Sequence, residues 1–182
     1  MRAISAFVLI LTCLAVSPAV GQPTATRERS APSRRPVSSA LPNDFRFEPN
    51  VGQTDARVAY FARVGCNSVF LTHTEVVLAF GESQSDVLRI RCTGASPDAR
   101  PSAEIELPGT VNYLHGGDPE SWKRGLPTFG RVRYRDIYSG IDVVYSGNQR
   151  QLVSEFEIAP GAAAAQIRLQ LAGASGLVVN ER

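Results

Sequence analysis

Several short motifs that mark catalytic and metal sites are missing from this sequence. It has no Cys-x-x-Cys pair, which argues against a zinc ribbon or a thioredoxin-type site. It has no Gly-x-Ser-x-Gly elbow to support a serine triad, and no Asp-x-Asp-x-Asp calcium loop. Its two histidines, His73 and His115, lie outside any metalloprotease spacing, and we interpret both as turn residues. We therefore predict no metal, no cofactor and no catalytic centre.

An excess of basic residues is also missing. Lys and Arg number 19 and Asp and Glu number 17, so the formal net charge is only +2. Domains that bind nucleic acid usually carry a clustered basic face. Arginines of the N-terminal part, among them Arg27, Arg29, Arg34 and Arg35, supply part of the positive charge. The balance predicts no nucleic-acid partner.

The first 21 residues have the pattern of a secretory signal peptide. Arg2 gives a positive start, residues 3–16 form an apolar run, and small residues follow the break at residues 17–18. The run is shorter than the ~20 apolar residues that a spanning helix needs. We therefore expect cleavage, no stable membrane span afterwards, and a secreted, periplasmic or cell-surface protein. The alternatives are an uncleaved anchor and a lipoprotein modified at Cys13.

The composition changes twice after the signal peptide. Residues 22–42 are rich in Pro, Ser and Arg and have almost no large apolar side chain, which predicts a disordered linker. Its arginines could also contact an acidic surface. Residues 43–182 have enough apolar side chains for one folded domain. The apolar segment 176–180 reads as a strand that enters a turn shortly before the sequence stops, so we expect this domain to be cut short at its C-terminus.

Residues 43–182 are predicted to form an all-β domain. Apolar and polar side chains alternate in short segments separated by Gly, Pro, Asn and Asp, and a period of two indicates strands with one buried face. About nine or ten such strands predict an antiparallel sandwich or a barrel-like fold. The clearest segments are residues 57–62, 68–72, 75–80, 87–92, 104–107, 141–146, 155–158 and 167–171.

Helix is expected only in short connectors. Residues 118–125 could form one or two turns, because Asp118 is a good N-cap, Pro119 suits the first helical position and Gly125 suits the end. Trp122 would then fix this connector to the sheets. Residues 162–165 are a weaker helical candidate that we interpret as a loop.

Cys66 and Cys92 are the two cysteines that follow the signal peptide. Two cysteines in an exported domain favour a disulfide. The alternative is two separately buried thiols, because the two strands need not be neighbours.

Asp118 and Asp142 each adjoin a glycine turn. Paired carboxylates of this kind could bind calcium or act as acid and base on a sugar. The alternative is that Asp118 caps a helix and Asp142 accepts from turn amides. The aromatic residues Trp122, Tyr134 and Tyr145 lie in the same third of the chain and could bind carbohydrate, or they could simply pack between two sheets. These five residues are the candidate binding site.

The order of several segments resembles a domain found at the N-terminus of bacterial surface proteins that carry seven-bladed β-propeller (SBBP) repeats. The resemblance spans about residues 45–173. It rests on residues 47–53 (FEPNVGQ), 69–72, 107–109, 112–113, 117–119, 122, 127–134 (PTFGRVRY), 137–145 (IYSGIDVVY), 147–148, 151–152, 156 and 159–162. Ser139, Ser146, Ser154 and Ala164 depart from the common pattern.

The resemblance implies an exported, non-enzymatic module of the cell surface or envelope, with no known activity. It also implies a β-rich accessory domain that precedes propeller repeats in a longer chain, and such repeats are the first candidate partner. A surface glycan or a surface protein is the second candidate. The rival hypothesis is a secreted hydrolase or a calcium- or glycan-binding domain that uses Asp118 and Asp142. It requires the two carboxylates to converge in one cleft.

Overall fold

Two antiparallel β-sheets form the structure, a computed structural model that describes residues 5–11, 45–148 and 151–174. The predicted all-β class is therefore confirmed. In chain order the strands are β1 Ser5–Leu11, β2 Glu48–Pro49, β3 Val58–Val64, β4 Asn67–Thr72, β5 Glu75–Phe80, β6 Asp86–Cys92, β7 Pro101–Tyr113, β8 Lys123–Tyr138, β9 Ile141–Asn148, β10 Gln151–Ile158 and β11 Leu169–Ala172.

The strands divide unequally between the two sheets. Sheet A has the spatial order β1-β10-β9-β8-β7, and sheet B has the order β11-β6-β5-β4-β3-β2. Their inner faces enclose one core, because alternate residues of each strand point inward. On β5 the inward residues are Val76, Leu78 and Phe80, as the alternation predicts. The core therefore uses one face of each sheet, and the other face carries mostly polar side chains with a few apolar ones, among them Phe70, Val77 and Val144.

The two sheets are hydrogen-bonded to each other near both ends of the sandwich. Near the β2 end, the backbone N–H of Phe47 donates to the carbonyl of Phe129 (2.8 Å), and the N–H of Phe129 donates back (2.9 Å). Near the β11 end, the hydroxyl of Tyr138 donates to the carbonyls of Thr93 (3.2 Å) and Arg168 (3.1 Å). These contacts give the sandwich its partly barrel-like closure.

The connectors contain less helix than the sequence predicts. Pro119–Ser121 forms a single 3-10 turn, and the Asp118 side chain accepts from the N–H of Glu120 as an N-cap should. Strand β8 begins at once, at Lys123, so the predicted helix end at Gly125 is wrong. The second candidate forms a 3-10 turn at Ala164–Gln166. The short capping segment was recognisable, but the 16-residue strand that follows it was not.

Part of the N-terminal apolar run is a strand here. Ser5–Leu11 pairs antiparallel with β10 over seven consecutive residues, from Ser5 opposite Ile158 to Leu11 opposite Leu152. The rest of the predicted signal peptide, the predicted linker at residues 22–42 and the predicted strand at 176–180 lie outside the described residues.

The predicted disulfide between Cys66 and Cys92 is wrong, because both thiols are free. Cys66 lies in the turn between β3 and β4, beside Asn67, whose side chain accepts from the N–H of Gly81 just after β5. Cys92 ends β6 at the opposite end of sheet B, next to the pairing of Arg91 with the first residue of β5. The six residues of β5 span about 17–20 Å, whereas a disulfide needs Cα atoms within about 7 Å.

Candidate functional site

A half-open groove crosses the outer face of sheet B. Its floor is a row of cross-strand neighbours: Phe70 on β4 lies opposite Val77 on β5, which lies opposite Arg89 on β6. A second row brings Glu75 opposite Arg91. The outward positions of three neighbouring strands therefore place two apolar side chains beside two guanidinium groups. We call this feature the sheet B groove.

One wall of the sheet B groove is the loop at residues 51–57, and Asn50 holds that loop. The Asn50 amide donates to the carbonyls of Asp55 (2.9 Å) and Val58 (2.9 Å). Its carbonyl oxygen accepts from the N–H groups of Gly52 and Gln53 at 3.1 Å each. The Asn50 side chain thus provides hydrogen-bond partners for both carbonyl and N–H groups of the loop. Because Asn50 belongs to the FEPNVGQ segment, this segment shapes one wall of the groove.

The sheet B groove is large enough for a small ligand. The volume is about 550 Å³, within the range of about 300–1,000 Å³ that is typical of ligand pockets. Residues of both the loop and the sheet line it. The lining residues are Thr54, Asp55, Ala56, Arg57, Val58, Phe70, Thr72, His73, Thr74, Glu75, Val77, Arg89 and Arg91.

Arginine outnumbers carboxylate in the sheet B groove. Glu75 alone serves two arginines, at 2.6 Å from Arg89 and 3.6 Å from Arg91, and both guanidinium side chains are about half exposed (51% and 54%). Arg57 pairs with Asp55 at 2.8 Å, and this hydrogen-bonded arginine lowers the pKa of Asp55 to about 2. Three arginines facing two carboxylates leave a formal charge of +1 in the lining.

The geometry of the sheet B groove suits an anion attached to an apolar surface. Guanidinium groups bind carboxylates through paired hydrogen bonds, and Phe70 with Val77 offers an apolar floor next to them. The hydroxyl of Thr72 is already engaged, since it donates to the carbonyl of Glu75 (2.9 Å) and accepts from the N–H of Glu75 (3.0 Å). His73 lies in the turn after β4, as predicted. The lining therefore favours binding over a nucleophilic reaction.

Asp118 and Asp142 lie far apart, so the cleft that the rival hypothesis requires is not formed. Asp118 precedes β8 at the tip of the β7–β8 hairpin, where it caps the 3-10 turn. Asp142 lies on β9 beside the other end of β8, where it accepts from Arg133 (2.9 Å) and from the N–H of Asp136 (2.8 Å). Lys123, where β8 begins, and Arg133, which Asp142 contacts, are ten residues of extended strand apart, roughly 33 Å. Asp118 therefore caps a turn of the backbone, and Asp142 holds both a backbone N–H and the guanidinium of Arg133.

Trp122 lies at the same hairpin tip as Asp118. Its indole N–H donates to the carbonyl of Gly116 (3.1 Å), and the guanidinium of Arg124 lies 4.6 Å from its ring centroid. The side chain therefore links the connector to Gly116 on one side and to Arg124 of β8 on the other. Its partial exposure leaves it a surface aromatic, and it is not among the residues that line the sheet B groove.

Tyr134 and Tyr145 belong to the core, so the interpretation of them as packing residues is the right one. Each is 5% exposed or less, and their rings meet edge to face at 5.7 Å. Tyr134 donates to the carbonyl of Thr72 (2.6 Å), and burial raises the pKa of both phenols. The cavity beside them has a volume of about 20 Å³, room for about one water molecule. They cannot present a stacking surface to a carbohydrate.

The residues of the sheet B groove could not be predicted from the sequence, because their alternation shows which face of a strand is exposed, but not which exposed residues of different strands lie together. Arg89 and Arg91 alternate with Leu88, Ile90 and Cys92, which identifies only a solvated face. The useful signal was the outward position of Phe70 and Val77, two large apolar side chains on that same solvated face. It becomes readable only when the order of strands β4, β5 and β6 is known.

The described residues offer little else for a metal or a membrane. Among them, no group of three or more His, Cys, Asp and Glu side chains converges as metal coordination would require. None of the helical segments in residues 5–11, 45–148 and 151–174 reaches the length and apolar character that a bilayer span needs.

Sequence comparison assigns the chain to a family. Comparison with curated proteins and with solved structures found no match. A family model matches residues 47–182, which is most of the chain and begins at the FEPNVGQ segment that shapes the groove wall. The chain therefore belongs to the family described as Domain of unknown function (DUF7948).

Proposed function

We propose that this protein is an exported, non-enzymatic recognition module whose sheet B groove binds a carboxylated glycan of the cell surface. The observation that carries the proposal is the excess of arginine over carboxylate beside an apolar floor. Arg89 and Arg91 share the single carboxylate of Glu75. An acidic sugar would add the missing negative charge and lay its ring on Phe70 and Val77.

The energetics favour such an exchange of partners. Exposed ion pairs are worth only about 0–1 kcal/mol, so a ligand carboxylate can draw Arg91 away from its 3.6 Å contact with Glu75 at little cost. Paired hydrogen bonds between a guanidinium and a carboxylate are stronger than hydrogen bonds between neutral groups. The apolar floor adds a contact that a free inorganic anion could not use. The preferred ligand is therefore a uronic acid within a saccharide chain.

The proposed setting is the outer surface of a bacterium. The signal-peptide pattern of residues 1–21 supports export, and the resemblance to the N-terminal domain of propeller-repeat surface proteins supports an accessory role beside such repeats. N-terminal sequencing of the exported protein tests the first part. We expect the mature chain to start at Gln22, and a cell-retained chain that starts at Met1 would contradict export.

Isothermal titration with tetragalacturonate tests the ligand. We expect binding by the full chain and at least a tenfold weaker affinity for the double variant Arg89→Gln with Arg91→Gln, which corresponds to about 1.4 kcal/mol. Arg124→Gln is the matched control, because it removes an arginine at the hairpin tip, outside the groove. The fully methyl-esterified saccharide, which has the same rings without charge, should bind far more weakly.

Two results would contradict the ligand proposal. One is equal binding of the acid and its methyl ester, since the arginines would then have no role. The other is an equal loss of affinity in Arg124→Gln, since the interaction would then be a general attraction to positive charge.

A further inference from the structure

Strands β7 and β10 lie at or next to opposite edges of sheet A, and they differ in how well they could accept another strand. Edge strand β7 contains Pro101 and Pro108, has a left-handed residue at Ile105 (φ 60°) and shifts its register between Leu107 and Thr110. Prolines and bulges of this kind protect an edge from pairing with other chains. Edge protection is therefore built into β7.

Strand β10 has none of these protections. Residues 151–158 contain neither proline nor glycine, and they pair with β9 in an unbroken register from Gln151 opposite Asn148 to Ile158 opposite Ile141. Its residues alternate strictly between buried and half-buried. Its other side is occupied by β1 in a register that is equally unbroken over seven residues.

The strand that covers β10 lies within the segment proposed to be removed on export. Ser5–Leu11 is part of the predicted signal peptide, so cleavage after residue 21 would take β1 away. The hydrogen-bonding groups of β10 that face β1 would then be unpaired along a regular edge. Such an edge is a template for pairing with a further strand.

We propose that β10 of the mature protein pairs antiparallel with β10 of a second copy and joins two A sheets into one. The pairing with β1 shows that this side of β10 accepts an antiparallel strand, and an antiparallel edge contact is the one that a two-fold axis can generate. The inference rests on the export part of the proposed function and is independent of the glycan.

The side chains select the register of the pairing. A two-fold axis through Ser154 would pair residues 151–157 with themselves, again seven residues, with Val153 opposite Glu155 of the second copy. It would also place Leu152 opposite Phe156, two buried apolar residues. An axis through Glu155 would set two carboxylates directly opposite, which is destabilising. The axis through Ser154 is therefore the favoured one.

Sedimentation velocity of the full chain tests the free edge without any cleavage. We expect the unmodified protein to be a monomer, because β1 covers β10. The variant with Phe7→Pro, Leu9→Pro and Leu11→Pro should dimerise, because the N–H groups of these three residues face β10 and proline removes them from the ladder. The exported chain that begins at Gln22 should dimerise as well. If both remain monomeric up to about 1 mM, the weak end of specific association, while circular dichroism reports a folded sheet, the proposal is overturned.

A charge exchange at Val153 tests the register. In the proline variant, Val153→Glu would face Glu155 of the second copy and should weaken the dimer at least tenfold, whereas Val153→Lys should keep or strengthen it. Equal effects of the two substitutions would overturn the axis through Ser154. Tetragalacturonate binding, measured on the same samples, reports on the other face of the molecule. A dimer that fails to form while the glycan still binds, or the reverse, separates the two proposals.

Discussion

The outer faces of the two sheets both carry arginines, but the arginines have opposite surroundings. On sheet A, the guanidinium of Arg133 donates to three carboxylates, those of Glu104 (2.6 Å), Asp142 (2.9 Å) and Glu157 (2.6 Å). The Arg133 side chain is 13% exposed. On sheet B, two arginines that are about half exposed share one carboxylate. The hydrogen-bonding groups of Arg133 are occupied by carboxylates and closed to a ligand, whereas the sheet B arginines have N–H groups left to bind one.

The apolar residues beneath the arginines differ in the same way. Val144 is the cross-strand neighbour of both Arg133 and Glu155 on sheet A, and it is 0% exposed. Phe70 and Val77 on sheet B keep part of their surface open and form the groove floor. A saturated ion-pair network therefore works as a cover, because charged side chains bury apolar surface under their stems. An ion-pair network with more arginines than carboxylates leaves apolar surface and guanidinium groups open to a ligand.

The largest expected effect is the loss of Arg133. Arg133→Ala would leave three converging carboxylates without a counter-charge, and because this ion-pair network is only partly buried, we expect a loss of about 3 kcal/mol, the low end for a broken buried pair. Arg91→Ala on the other face should change the free energy of unfolding by no more than about 0.5 kcal/mol. Urea denaturation of the two variants measures both values. Equal losses would show that the two faces do not differ as described.

The next effect concerns the wall of the sheet B groove. Asn50→Ala removes the hydrogen bonds to the carbonyls of Asp55 and Val58 and to the amides of Gly52 and Gln53. We expect a loss of about 2 kcal/mol in the free energy of unfolding and a loss of tetragalacturonate binding. Asn50→Asp keeps only the acceptor, so its free energy of unfolding should lie between those of the unmodified protein and Asn50→Ala. An Asn50→Ala protein that binds normally would show that the loop is not part of the site.

A smaller effect appears on acidification. The hydrogen bonds from Arg133 lower the pKa of Glu157 below its ordinary value of 4.5. Ionised Glu157 therefore stabilises the fold at pH values above about 4.5, and this contribution disappears as the pH falls through the lower pKa of the folded state. We expect Glu157→Gln to cost about 1 kcal/mol near pH 7 and progressively less in acid. If the difference between the two proteins is constant down to the lowest pH at which they fold, Glu157 is not stabilised by Arg133.

The smallest effect on stability is expected at Asp55. Its pair with Arg57 is fully exposed, so Asp55→Asn should leave the midpoint of urea denaturation unchanged within error. The same substitution removes one of the two carboxylates that line the groove, so tetragalacturonate should bind more tightly. Asp98→Asn, another exposed aspartate outside the groove, is the control for net charge. Weaker binding by Asp55→Asn alone would mean that Asp55 orients Arg57 for the ligand.

The amino-acid pattern alone was enough to predict the fold class, most strands and the buried side of a regular strand such as β5, but not of β7, where Ile105 of the alternating segment 104–107 is 58% exposed. Val76, Leu78 and Phe80 face the core, and Asp118 caps its turn, as their local patterns predict. These properties depend on neighbours within a few residues of the chain, because strand periodicity and capping are local. The long strand β8 escaped prediction, since its early glycine and proline, Gly125 and Pro127, are typical of a turn.

Which distant residues meet depends on how the strands are arranged in three dimensions. That arrangement placed Cys66 and Cys92 at opposite ends of sheet B, put Tyr134 and Tyr145 in the core, and separated Asp118 from Asp142 by much of the length of β8. It also brought residues of β4, β5 and β6 together with the loop after Asn50 to form a groove. Strand order and register set these distances, and neither can be read from an alternation that repeats every two residues.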